Sequence, residues 1–170
     1  MNLSHFSQDW DYRSLVASHA IAYSGPLSDP FPDNGERDMS PDLDHALCER
    51  YPSIFVERFL PMKQTAMCRG IECNDGWYTL IDTLCAGLQD ETTNGNAPQV
   101  VATQVKAKYG GLRFYVHNAS DRQKAMIELA QHLSQRTCEI CGAPGTQNQG
   151  ECIRTRCGSH RASVVLEIEE

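Results

Sequence analysis

Four residues near the C-terminal end carry the strongest chemical signal in the chain. Cys138-Glu139-Ile140-Cys141-Gly142 places two thiols two residues apart, and Cys157-Gly158-Ser159-His160 places a thiol and an imidazole at the same spacing. The whole reads C-x2-C-x15-C-x2-H. Two intervening residues let both donors of a pair reach one ion, and a Cys3His set suits a closed tetrahedral zinc site. Gly142 allows the tight turn beneath the first pair. Cys138, Cys141, Cys157 and His160 are therefore the expected ligands of one structural Zn2+ ion, because four protein donors leave no position for water or substrate. Cys152 lies between the pairs and is expected to be a buried thiol. Cys48, Cys68, Cys73 and Cys85 could supply a second metal site, but small buried hydrophobic side chains are the favoured reading.

Other reactive patterns are thin. The chain has no G-x-G-x-x-G, P-loop or G-x-S-x-G string. Asp75 and Asp82 share one flank of a predicted helix, and His117 could act as a general base, yet solvation or capping explains all three. A nuclease of the HNH class would use His117 and His132, but the close histidine pairing of that class is missing, so it ranks as a remote alternative. No enzymatic activity is expected.

These residues must be carried by an α+β fold. A short helix through Leu43, Leu47 and Cys48 ends before Pro52. Trp77, Leu80, Ile81, Leu84, Cys85 and Leu88 recur at helical spacing and predict a helix over Asp75–Gln89 with one buried face, capped by Asn74 or Asp75. Residues 92–98 read as a loop. Val101, Thr103, Val105, Ala107 and Tyr109 then alternate with polar residues, and after Gly110-Gly111 so do Leu112, Phe114 and Val116. This predicts a β-hairpin that turns at the glycine pair and displays Lys106, Lys108, Arg113, Tyr115 and His117 on its polar face. Ser120 with Gln123 forms a capping box opening a helix to about Gln135 that buries Met126, Leu129, Ala130 and Leu133. The expected organisation is an acidic arm with a proline-rich linker over residues 1–41, a helix–hairpin–helix core over 42–135, and a zinc-ribbon or treble-clef-like module with a terminal strand over 136–170. Trp10, Tyr12, Leu15, Val16 and Ile21 offer the arm a short docking helix or strand, and Ser163–Ile168 has strand character.

The 170 residues carry a net charge of −7, unevenly spread. Residues 1–50 hold nine acids against three arginines, whereas residues 101–161 hold nine bases against four acids. A solvated surface with an acidic head is the plain reading; a basic face including Arg154, Arg156 and Arg161 that meets an anionic partner is the sharper one. No apolar run approaches the roughly 20 residues of a membrane span. The N-terminus lacks the basic and apolar regions of a secretory signal, so a cytoplasmic location is expected, in which eight cysteines serve as thiols and metal ligands rather than disulfides.

Several strings together resemble a group of small, mostly uncharacterised proteins of bacteriophages and bacterial genomes. They are Cys73-Asn74-Asp75-Gly76-Trp77; Gln104-Val105-Lys106 with Lys108-Tyr109-Gly110-Gly111-Leu112-Arg113-Phe114-Tyr115; Cys138-Glu139-Ile140-Cys141-Gly142-Ala143-Pro144-Gly145; and Thr155 with Cys157 to His160. The likeness covers about residues 43–160. Where that group usually has a tryptophan ahead of its second zinc pair, this chain has Cys152 and Ile153. The resemblance implies a phage or mobile-element origin, a host bacterial cytoplasm as the place of action and a zinc-terminated α+β fold; it implies no activity. The expected function is that of a non-enzymatic binding protein, an inhibitor or adaptor whose partner is a host protein, such as one that handles nucleic acid. The alternative is a nucleic-acid-binding regulator using the basic half.

Overall fold

In the computed structural model the described residues are 38–150 and 152–162. The arm, most of the linker and the Ser163–Ile168 segment lie outside them.

The first helix, α1 (Pro41–Arg50), begins with proline, whose missing N–H costs nothing in a first turn. It buries Leu47 and Cys48 and also Asp44. The buried carboxylate is fully used. Its Oδ1 accepts the Ile71 N–H at 3.0 Å, and its Oδ2 accepts from Nε and Nη2 of Arg58 at 3.3 and 3.2 Å. Arg58 also donates to the Cys68 carbonyl at 2.7 Å. Asp44 and Arg58 thus tie α1 to two 3-10 turns, Val56–Phe59 and Met67–Arg69, and to a two-residue strand, β1 (Ile71–Glu72).

The predicted central helix enters through a 3-10 turn, Asp75–Trp77, before α2 (Tyr78–Thr93). Trp77, Ile81, Leu84, Cys85 and Leu88 are buried as the period requires. The cap differs from expectation: neither Asn74 nor Trp77 caps with its side chain, and the Asp75 carboxylate instead accepts the Ser40 N–H at 2.7 Å. That bond holds the start of α1 against the start of α2.

The hairpin pairs β2 (Val101–Lys108) with β3 (Gly111–His117), and β1 adds to β2 in parallel, giving the order β1-β2-β3. Two features depart from the simple alternation. The register shifts between Ala102 and Gln104, so Thr103 is the extra residue of a β-bulge. The bulge resets the phase, and Ala102 and Val105 are buried rather than Val101 and Thr103. The turn is Tyr109-Gly110, not Gly110-Gly111; both residues have positive φ, 53° and 66°, while Gly111 already pairs with Lys108. Positive φ at both central positions is the mark of a type I′ turn, whose twist matches that of the strands.

The capping box forms as predicted at α3 (Asp121–Ser134), with Gln123 N–H donating to Ser120 Oγ and Ser120 N–H to Gln123 Oε1. Its buried face is rotated from the expected one. Gln123, Ile127, Ala130 and Ser134 are buried, Met126 is half-buried, and Leu129 and Leu133 are exposed. Polar residues take core positions because each is satisfied there. Gln123 Nε2 lies within hydrogen-bond distance of Leu88 O, Thr92 Oγ1 and Pro98 O, and Ser134 Oγ accepts the Leu112 N–H at 2.8 Å. Helix α3 packs on both α2 and β3. Phe55 meets Phe114 edge-on within the resulting core. Among the described residues, no helix is long and apolar enough to cross a membrane.

Candidate metal centre

Beyond α3 the chain makes a tight loop, a two-stranded ribbon of β4 (Thr146–Gln147) and β5 (Thr155–Arg156), and a short helix, α4 (Gly158–Ala162). The loop closes on itself through Cys138 N–H to Ala143 O at 2.7 Å and Gly142 N–H to Cys138 O at 2.9 Å, with Gly142 at φ 74°. This local closure turns the Cys138 and Cys141 thiols to the same side. Cys157 immediately precedes α4 and His160 stands on its first turn, so the helix start delivers the second pair.

The four donor atoms lie within 4.8 Å of one another and could hold a metal ion. Cys141 Sγ is 3.8 Å from Cys157 Sγ; His160 Nδ1 is 3.2 Å from Cys157 Sγ and 3.5 Å from Cys138 Sγ. A tetrahedral ion with bonds of about 2.3 Å to sulfur and 2.0–2.1 Å to nitrogen has edges of about 3.8 Å between sulfurs and 3.5 Å from sulfur to nitrogen. The imidazole presents Nδ1, leaving Nε2 facing away from the cluster.

Local electrostatics favour the ligating thiolate at Cys138 and Cys157 and oppose the ligating form at His160 and Cys141. Burial alone would raise the Cys138 thiol, but N–H groups of Cys157, Cys141 and Ile140, together with His160, bring it down to about 6. The His160 backbone N–H, aided by its imidazole, lowers Cys157. Hydrogen bonding to Cys138 and Cys157 raises His160. In Cys141 the Ala143 N–H acts to lower the thiol, and the neighbouring thiols outweigh it and raise it.

The loop is fastened to the core beside the start of α2. Gly76 N–H donates to Glu139 O at 2.9 Å, and Trp77 Nε1 donates to Thr137 O at 2.8 Å. A Cβ on Gly76 would sit 2.6 and 2.7 Å from the backbone nitrogens of Gly142 and Cys141, and closer still to the Cys138 carbonyl oxygen. The ribbon is fastened to the hairpin turn: Thr155 Oγ1 donates to Gly110 O, and Gln147 Nε2 donates to Tyr109 O at 3.1 Å.

Glu139, between Cys138 and Cys141, is fully buried. Its Oε1 accepts from Arg156 Nε at 3.2 Å and pairs with Arg154 at 3.6 Å. The side chains of Arg154 and Arg156 are only 15% and 21% exposed, so two of the expected basic surface residues point into the module. Arg161 donates to the Thr146 carbonyl at 2.9 Å and to its hydroxyl. Cys152 is exposed rather than buried, and Asn148 Nδ2 donates to its carbonyl at 3.0 Å. Of the remaining thiols, Cys48, Cys73 and Cys85 are buried; burial raises all three, Cys48 to about 12. Cys68 is half-buried and its thiol donates to Thr65 O. Among the described residues, no second group of clustered donors accompanies the first.

The polar face of the hairpin is assembled as expected. Lys106 lies opposite Arg113, and Tyr115 opposite Gln104. Lys106 Nζ stands 5.7 Å from the Tyr115 ring centroid and Lys108 Nζ 5.2 Å from that of Tyr109, both within reach of a cation–π attraction. Arg113 turns back on the Leu112 carbonyl. Lys106, Tyr115 and His117 line one wall of a cleft of about 370 Å3; Glu57, Gln64 and Thr65 contribute to the other. That second wall comes from a stretch without hydrophobic periodicity, so nothing in the sequence marks it. Asp82, raised above as a catalytic carboxylate, accepts from Arg50 and from the Tyr51 hydroxyl, a structural use like that of Asp75. His132 is exposed on α3. No protein-family model matches the chain, and neither a curated protein nor a solved structure matches it.

Proposed function

We propose that the chain is a zinc-stapled, non-enzymatic binding protein whose partner is another macromolecule, and that the partner is a protein. The observation that carries this reading is the closed donor set: three thiols and one imidazole at tetrahedral spacing, sitting on backbone contacts to Gly76 and Trp77. Such a set suits zinc and leaves no coordination position for chemistry. Loop, ribbon and ligand-bearing helix follow one another in the order of a treble-clef-like module. Three thiolates around a divalent ion carry one net negative charge, and the two arginines around Glu139 carry one net positive charge, so the module is close to neutral when loaded.

The engagement of Arg154 and Arg156 by Glu139 weighs against a phosphate-binding face there and favours a protein partner. With the resemblance to phage proteins, this supports an inhibitor or adaptor of a host protein acting in the bacterial cytoplasm. A second reading, a nucleic-acid-binding regulator, is favoured by Lys106, Lys108 and Arg113, none of which has a carboxylate partner among the described residues. The test combines metal analysis of the full chain with crosslinked affinity capture from host lysate and titration with DNA and RNA. One zinc per chain and a captured host protein support the proposal. Nucleic-acid affinity that falls steeply with salt would transfer support to the regulator.

A further inference from the structure

The 3-10 turn Val56–Phe59 is inside out. Its charged Arg58 is turned inward to Asp44 and the Cys68 carbonyl, and it buries no residue. Phe59 is 62% exposed, and Val56, Leu60 and Met62 are exposed around it. Asp44 and the Cys68 carbonyl account for the inward arginine but leave the apolar side chains beside it uncovered, and clustered exposed apolar side chains are a common feature of binding surfaces. Arg58 anchors the ridge from beneath, so its backbone is set before any partner arrives.

The same stretch forms one wall of the cleft described above. Glu57 lies within the turn, and Gln64 and Thr65 follow the ridge. The β-bulge at Thr103 builds the floor, because Thr65 Oγ1 donates to the Thr103 carbonyl at 3.2 Å. Facing the ridge across the cleft are Lys106, Tyr115 and His117. Lys106 has no carboxylate partner among the described residues, and its Nζ stands over the Tyr115 ring. Glu72, in the adjacent strand, is occupied by Gln104 at 2.9 Å and by Arg69. Glu57 is the acidic group on the opposite wall.

From this juxtaposition we propose that the cleft and ridge are a docking site for an extended segment of a partner protein carrying apolar side chains beside a carboxylate. The apolar side chains cover Phe59 and Met62. The carboxylate meets Lys106, with Tyr115 and His117 as flanking donors. Glu57 disfavours a uniformly anionic ligand, so a continuous phosphate backbone fits worse than a peptide with a single acid. The inference rests on the reading of the chain as a binding protein and adds where it binds and what it binds.

The test uses the full zinc-loaded chain as bait for a displayed library of random 12-residue peptides. Selected peptides should share an acid next to two or more apolar residues. Phe59→Ser and Lys106→Glu should each weaken a selected peptide by about tenfold or more, the scale of a central contact. Leu129→Ser, on the exposed face of α3, should leave its binding unchanged. Thermal melts establish that all three variants fold. Binders indifferent to Phe59 and Lys106 would overturn the docking site while leaving the binding-protein reading intact. A folded chain that selects no peptide and captures no host protein would remove both. If a labelled single-stranded 20-mer oligonucleotide binds in low salt and the Lys106→Glu variant loses it, with no peptide selected, the face belongs to nucleic acid and the proposal fails.

Discussion

Substituting Gly76 by alanine tests how the metal-binding loop is seated on the core. The added Cβ meets backbone atoms of Cys138, Cys141 and Gly142, none of which can swing aside as a side chain would. Overpacking of this kind costs about 1–3 kcal/mol. Moving the loop away also stretches the Gly76 N–H bond to Glu139 O, a loss of about 1 kcal/mol. Reduced backbone freedom in the unfolded chain returns about 0.5–1 kcal/mol. The net loss is about 1–3.5 kcal/mol, a fall in Tm of about 4–14 °C for a unit of this size. Two other glycines serve as controls. At Gly87 the new methyl meets only the terminal carbon of Met126, and α2 gains helix propensity, so Gly87→Ala should stay within about 1 kcal/mol of the parent. At Gly158 nothing lies within 4 Å, so Gly158→Ala should change stability by no more than about 0.5 kcal/mol. Urea and thermal denaturation of the metal-loaded proteins measure all three. If Gly76→Ala melts within about 2 °C of the parent, or if Gly158→Ala is equally damaging, the loop is not held on the core in the way described.

Three further outcomes follow from the same geometry. Asp44→Ala strands the Ile71 N–H and the partly buried Arg58 together and should cost about 2–4 kcal/mol in urea melts, with Asp44→Asn costing less because one acceptor remains. Gln123→Ala removes the donor shared among Leu88, Thr92 and Pro98 as well as half of the capping box, so it should cost about 1–2 kcal/mol more than Ser120→Ala; equal losses would mean the buried amide contributes little. The third concerns pH. Because the Cys138 thiol is lowered from 9.0 to about 6, its thiolate adds stability to the chelated chain that is full above pH 9.0 and is lost as the pH falls through 6. Metal binding needs the same thiolate, so metal affinity should weaken as the pH falls. A Cys138→Ser variant should lose its share of this dependence, and an identical profile in parent and variant would contradict the assignment.

Much of the architecture is legible in the sequence wherever the controlling interaction is local. The Ser120–Gln123 capping box acts over three residues and forms as predicted, and the two spaced Cys/His pairs come together in one cluster of donors. The period of α2 is legible because its buried positions are all apolar. Helix α3 misleads for the opposite reason: Gln123 and Ser134 occupy core positions through hydrogen bonds to residues far along the chain, and a hydrophobic pattern assigns those positions to Leu129 and Leu133. The hairpin pairs as expected, but the Thr103 bulge has no mark in composition, and the positive φ of Tyr109 is held partly from outside by Gln147. Nor does spacing reveal that Glu139 draws Arg154 and Arg156 inward, since those contacts exist only once the ribbon folds over the loop. The second wall of the cleft belongs to the same class, because it depends on Asp44 receiving Arg58.

The most direct test of the central claim is X-ray absorption at the zinc edge, with metal analysis, on the purified full chain. The account predicts one zinc per chain, with three sulfur neighbours at about 2.3 Å and one nitrogen at about 2.0–2.1 Å. Two ions per chain, oxygen in the coordination shell, or a folded chain that takes up no zinc would contradict it.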